Sequence, residues 1–156
     1  MNKFLVVLSL SIAILSASPL KVNSPLKQLN SFDYETPQGR QMRIPKKTNL
    51  VIVAFDKDTG ALVNEYLGTK TKFYLQKHRS IFIADIHEMP SIITDMFALP
   101  KLQKYKHLIY LHYTDKFKNV VPRKADKITL LHVKDGKVQN ISYISTKKEL
   151  QASIEK

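Results

Sequence analysis

The residues of this chain that could do chemistry are carboxylates and imidazoles placed at the ends of apolar runs. Asp56, Lys57 and Asp58 follow NLVIVAF, Asp85, His87 and Glu88 close SIFIADI and its exit, and His112 with Asp115 ends HLIYLHY. If those runs are parallel strands, their carboxyl ends share one rim, where open α/β sheets collect ligands and active groups. Oxygen and nitrogen donors on one rim could hold a divalent metal for an assisted hydrolysis. The spacing argues against it: no tight ligand pattern such as HExxH occurs, Asp58 suits a helix cap, and Asp115 suits a turn. Thiol chemistry is excluded outright, because the 156 residues contain no cysteine. Thiol–disulfide exchange and cysteine-based peroxidase activity both need a thiolate. Gly39, Gly60, Gly68 and Gly136 are isolated, so no phosphate-cradling loop exists and no cofactor is expected.

The other candidate nucleophiles and bases have plainer explanations. His78 lies in KHR near a helix end, and Ser91 follows Met89-Pro90 as a helix-start residue. His112 shares a strand face with Leu108 and Tyr110, and His132 shares one with Ile128 and Leu130. Both read as half-buried strand positions with one hydrogen-bond partner each.

The elements that must position these groups follow from the apolar patterning. Residues 1–17 read as a secretory signal: Lys3 precedes an apolar run from Phe4 to Leu15, followed by the small residues Ser16, Ala17 and Ser18. That run is shorter than the roughly 18–20 residues that a spanning helix needs, which favours cleavage after Ala17 over a retained anchor and a periplasmic or secreted protein. Residues 18–31, with Pro19 and Pro25, read as a flexible lead-in, and residues 32–156 as one domain.

Within that domain, FDYETPQGRQMRIP carries a hairpin signal at Pro37-Gln38-Gly39. NLVIVAF and SIFIADI are continuous β-branched runs suited to strands buried on both faces. ALVNEYL places Leu62, Val63, Tyr66 and Leu67 at helical spacing after a cap at Asp58 or Thr59, and Ile92, Ile93, Met96 and Phe97 recur at helical spacing after Pro90, with Pro100 as a stop or kink. HLIYLHY is a third strand. DKITLLHVKDGKVQNISYI forms two strands about Lys134-Asp135-Gly136, and TKKELQASIEK closes the chain as a helix capped by Ser145 or Thr146. Alternating strands and helices predict an α/β fold with a parallel core and a terminal antiparallel hairpin.

The net charge is +12, from 25 Lys and Arg against 13 Asp and Glu. The cations are scattered singly or in small groups such as Lys46-Lys47, Lys101 with Lys104 and Lys106, and Lys116 with Lys118. No nucleic-acid partner is expected for an exported protein of this pattern; solubility and weak attraction to anionic surfaces account for the charge.

FDYETPQGRQMRIPKKTNLVIVAF resembles the opening of peroxiredoxin-like and thiol-reductase members of the thioredoxin superfamily. The stretch from HLIYLHYTDKFKNVV to the last helix is similar to their closing half, most of all to periplasmic peroxiredoxin-like proteins of little-known function. The resemblance implies a thioredoxin-like three-layer sandwich: a central mixed sheet with N-terminal and C-terminal hairpins, flanked by helices. It places the reactive cysteine at Gly60, its partner thiol at Val63 and the cis-proline at Ile128, so every element of the redox site is replaced. It also makes the third strand a sheet edge that a partner could extend, blunted by Lys116 and Lys118, and separates His112 from His132 by two strands. The expected function is a non-catalytic binding or accessory module of the cell envelope with a protein partner; the alternative is a metal-assisted enzyme at the acidic and histidine rim.

Overall fold

The computed structural model describes residues 18–156, so the expected signal segment lies outside the described residues. Seven strands run in chain order: β1 (Tyr34–Glu35), β2 (Gln41–Met42), β3 (Leu50–Ala54), β4 (Ser80–Asp85), β5 (Tyr110–His112), β6 (Ile128–Lys134) and β7 (Lys137–Ile144). They form one open sheet in the order β2-β1-β5-β4-β3-β6-β7. β3 and β4 pair in parallel from Leu50↔Ser80 to Ala54↔Ala84, and every residue of both strands is buried. That is what uninterrupted β-branched runs require, since neither face of such a strand tolerates water. β5 continues the parallel set beside β4, and β6 lies antiparallel on the other side of β3.

Both hairpins close where backbone chemistry permits. Asp135 and Gly136 take φ of 52° and 72° between β6 and β7, the left-handed pair that a two-residue turn needs. Gly39, at φ 78°, turns β1 into β2.

Six short or medium helices complete the chain: α1 (Lys57–Gly68), α2 (Tyr74–Lys77), α3 (Ser91–Ile93), α4 (Leu99–Leu102), α5 (Phe117–Val120) and α6 (Lys147–Ile154). A π-turn, Thr94–Ala98, joins α3 to α4. The cap of α1 is Asp56, two residues before Asp58 and three before Thr59: its Oδ1 accepts from the Thr59 N–H at 2.8 Å. Asp58 lies exposed in the first turn, where a carboxylate favours the helix dipole. α6 begins with a reciprocal capping box between Thr146 and Glu149.

Side chains fill both faces of the sheet. On one face, Val63 and Leu67 of α1, Leu75 of α2 and Leu150 of α6 pack on Ile52, Phe82, Leu111 and Leu130. On the other, Val51, Val53, Ile83 and Leu131 meet Phe117 and Val120 of α5 together with Leu20, Leu26 and Leu29. Those three leucines belong to the stretch expected to be a flexible lead-in. It is instead packed and bonded: Leu20 N–H donates to Val120 O, and Leu26 N–H to Gly136 O. Among the described residues no long helix covers this face, so the lead-in supplies its outer layer, and each buried leucine stabilises by about 1.5–3 kcal/mol.

The third strand also differs from expectation. β5 is interior, because Glu35 of β1 pairs with Leu111 and the first hairpin shields it. The sheet's outer strands are β2 and β7. The stretch Ser91–Leu102 is not stopped by Pro100, which falls in the first turn of α4. The preceding π-turn widens the helix where the proline ring would otherwise crowd a carbonyl.

Candidate functional site

The carboxyl ends of β3, β4 and β5 form the expected rim, and the structure sorts its groups sharply. Asp85 is the last residue of β4, its side chain fully buried. His87 Nδ1–H donates to Asp85 Oδ1 at 2.9 Å, and the His87 backbone N–H donates to the same oxygen at 3.3 Å. The two-residue separation makes this possible, since the chain turns directly after the strand. His87 Nε2 lies 3.4 Å from Glu88 Oε1. That oxygen in turn meets Lys118 Nζ at 3.6 Å and the Arg123 guanidinium at 3.5 Å, while the guanidinium stands 5.8 Å from the centre of the Phe55 ring.

Burial pushes the Asp85 carboxyl above its usual range, and the hydrogen bonds from His87 counter only part of that rise. Asp85 Oδ2 and His87 Nε2 are buried with no hydrogen-bond partner.

His112 faces the same side of β5 as Tyr110 but is committed elsewhere. Nδ1 is 3.0 Å from Asp33 O and Nε2 is 2.9 Å from Thr114 Oγ1. Its ring sits among Phe32, Tyr34 and Phe117, with centroids 4.8–5.8 Å apart. It is a structural histidine under the rim. His132, on β6 and separated from β5 by two strands, bonds Ser142 Oγ instead. Asp56 is the cap of α1, Asp58 is exposed and Asp115 lies in an exposed turn.

Asp85, His87 and Glu88 therefore meet, and Asp56, Asp58, His112 and Asp115 do not join them. Among the described residues no group of three or more His, Asp or Glu side chains could hold a metal ion. Asp85 Oδ1 and His87 Nδ1 are engaged with each other in a hydrogen bond. Lys118 and Arg123 complete the cluster, and sequence spacing could not find them, since they arrive from beyond β5.

Beside the rim lies a surface of opposite character. Ile92, Met96 and Phe97 are 62–64% exposed and Ile93 is 43% exposed, all in the helical stretch after Pro90. Leu99 and Leu102, farther along, turn inward against the core. The π-turn explains the split: its extra residue shifts the helical phase, so one apolar stripe becomes an outer half and an inner half. Burial raises the pKa of the Tyr113 hydroxyl, and the nearby carboxylates of Glu35 and Asp95 raise it further.

Two solved structures overlay nearly the whole chain. Peroxiredoxin Q from Xanthomonas campestris matches with a TM-score of 0.52 at 9% identity, covering 89% of this chain and 97% of its own. A proposed protein disulfide isomerase from Bacteroides thetaiotaomicron matches with a TM-score of 0.51 at 12% identity, covering 88% and 86%. The fold is thioredoxin-like. No protein-family profile and no curated protein sequence matches the chain.

Of the three positions that the resemblance assigns to the redox site, two are core positions of the thioredoxin-like fold. Gly60 occupies the first turn of α1, and a Cβ there would lie 4.0 Å from the Cβ of Ala54. Val63 is completely buried against the sheet. Ile128, also completely buried, starts β6 opposite Ile144, and no cis peptide bond occurs among the described residues. Without sulfur, the helix start that would activate a thiol has nothing to activate. What the arrangement offers is a rim of paired charges with two buried polar atoms left over, Asp85 Oδ2 and His87 Nε2, and an adjoining apolar face that nothing among the described residues covers.

Proposed function

We propose that this chain is an exported thioredoxin-like binding module of the cell envelope, without thiol chemistry, that docks a partner protein through the outer face of Ser91–Leu102. The observation that carries the proposal is the exposure of Ile92, Ile93, Met96 and Phe97 on one surface next to the rim. A contiguous apolar surface on a soluble domain marks a binding site, and methionine and phenylalanine are enriched in the cores of protein interfaces.

The charges choose the class of partner. Asp95 sits exposed within the apolar stretch, and burying it in lipid would be costly, whereas a protein groove can answer it with a cation. Glu88 on one flank and Lys101 and Lys104 on the other supply a polar border of both signs. Export rests on the charged start and apolar run of residues 1–17.

The test is photocrosslinking from position 96 in envelope extracts of the source cell. The proposal expects one defined, saturable adduct that disappears with Phe97→Asp. Diffuse labelling that excess unlabelled protein does not compete away would contradict it.

A further inference from the structure

At the opposite end of the sheet from the rim, a groove of about 630 Å³ opens beside the amino end of β5. That volume lies within the range of small-molecule sites. Three segments wall it: the β1–β2 turn with Arg40, the lead into α2 with Lys72 and Phe73, and the lead into β5 with Tyr105 and Lys106. No carboxylate lines it. Lys70, Lys118, Arg123 and Lys147 pair with Glu155, Glu88 and Glu65 elsewhere, whereas Arg40, Lys72 and Lys106 form no ion pair among the described residues. Three cations converge on one concavity without an internal counterion.

The walls are held in place. Gln103 Nε2 donates to Pro37 O at 3.0 Å, fixing the hairpin turn to the end of α4, and the Arg40 N–H donates to Thr36 Oγ1 at 3.2 Å. His107 floors the groove, buried and bonded through Nε2 to Asn64 Oδ1 at 2.8 Å. Two aromatic rings complete the lining. Phe73 is 64% exposed, with Lys72 Nζ 5.5 Å from its ring centre, and Tyr105 leans on His107 at 5.1 Å.

We infer that this groove binds a small acidic saccharide. The cations meet its carboxylates or phosphates, Arg40 in the forked geometry suited to a carboxylate. Phe73 and Tyr105 offer flat apolar faces against which sugar rings stack, and the amides of Gln38 and Gln76, also in the lining, can answer hydroxyls. Charge alone would suit any anion; exposed aromatic faces beside the cations select one built on a ring.

Calorimetric titration of the full chain tests this with trigalacturonate, neutral maltotriose and inorganic phosphate as probes. The inference expects saturable binding of trigalacturonate at least about tenfold tighter than of either comparison probe, weakening as salt is raised. The triple variant Arg40→Gln, Lys72→Gln, Lys106→Gln should lose at least about tenfold in affinity with an unchanged melting temperature, since all three side chains are exposed. Phe73→Ala should lose several-fold. Equal affinity for maltotriose, equal affinity for phosphate, or undiminished binding by the triple variant would each overturn it.

Discussion

The rim and the adjoining helical face are near neighbours in sequence, from Asp85 to Leu102, and they solve the problem of exposed functional groups in opposite ways. At the rim, each charged group finds another: Asp85 holds His87, His87 approaches Glu88, and Glu88 draws in Lys118 and Arg123. On the helical face, Ile92, Met96 and Phe97 stay exposed among the described residues. A buried, interlinked polar cluster is bound to the stability of the fold, whereas an exposed apolar face contributes almost nothing to folding and is free to contribute to binding. Mutations in the first region should therefore be read in melting curves, and mutations in the second in partner capture.

The largest expected effect lies under the rim. Phe117 is fully buried against Phe32, Tyr34, Phe55 and His112, so Phe117→Ala should cost about 3–5 kcal/mol in urea unfolding. A loss below about 1 kcal/mol would mean that the aromatic cluster does not support the rim.

Removing a rim partner should come next. His87→Ala strands Asp85 in its burial and should cost about 1–3 kcal/mol at neutral pH. The pH dependence has a definite sign. The folded-state pKa of Asp85 lies above the ordinary 3.8, so its contribution is complete below that value and is lost as pH rises through the raised one. The stability of wild type relative to Asp85→Asn should accordingly fall with rising pH across that window; a difference that grows with pH would show that the carboxylate is better held charged than its burial implies.

A smaller effect is expected at the start of α1. Asp56→Ala removes the acceptor for Thr59 N–H and should cost about 1 kcal/mol in thermal melts, while Asp58→Ala should cost less. A reversal of that order would return the cap to Asp58.

The smallest effect on stability belongs to the apolar face. Phe97→Ala should stay within about 0.5 kcal/mol of wild type and yet weaken capture of the partner. If it destabilised the protein as a core substitution does, the distinction between the two regions would collapse.

Local signals in the sequence carried over well, and long-range ones did not. The apolar runs of β3 and β4, the Asp135-Gly136 turn and the cap of α6 each depend on residues a few positions apart; the first two stand as expected, and of the two expected caps, Ser145 and Thr146, the structure uses Thr146. The interior place of β5 depends on pairing with β1, a strand of two residues that shows no periodicity. Burial of Leu20, Leu26 and Leu29 follows from a 3-10 turn and an irregular lead-in, whose spacing matches neither the helical nor the strand period.

The apolar stripe at Ile92–Phe97 was visible as a stripe. Its direction was not, because the π-turn that rotates it is set by how Leu99 and Leu102 seat on the core. At the rim, Asp85, His87 and Glu88 could be grouped by proximity in the chain, whereas Lys118 and Arg123 reach them only through the fold. The missing cysteine needed no fold at all to exclude thiol chemistry.

The most direct measurement is hydrogen exchange of the full chain, alone and with the partner identified by crosslinking from position 96. The account predicts new protection centred on residues 91–102, with the amides of β3 and β4 unchanged, and no such protection in Phe97→Asp. Protection confined to the rim or to β7, with the Ser91–Leu102 stretch exchanging as in the free protein, would contradict it.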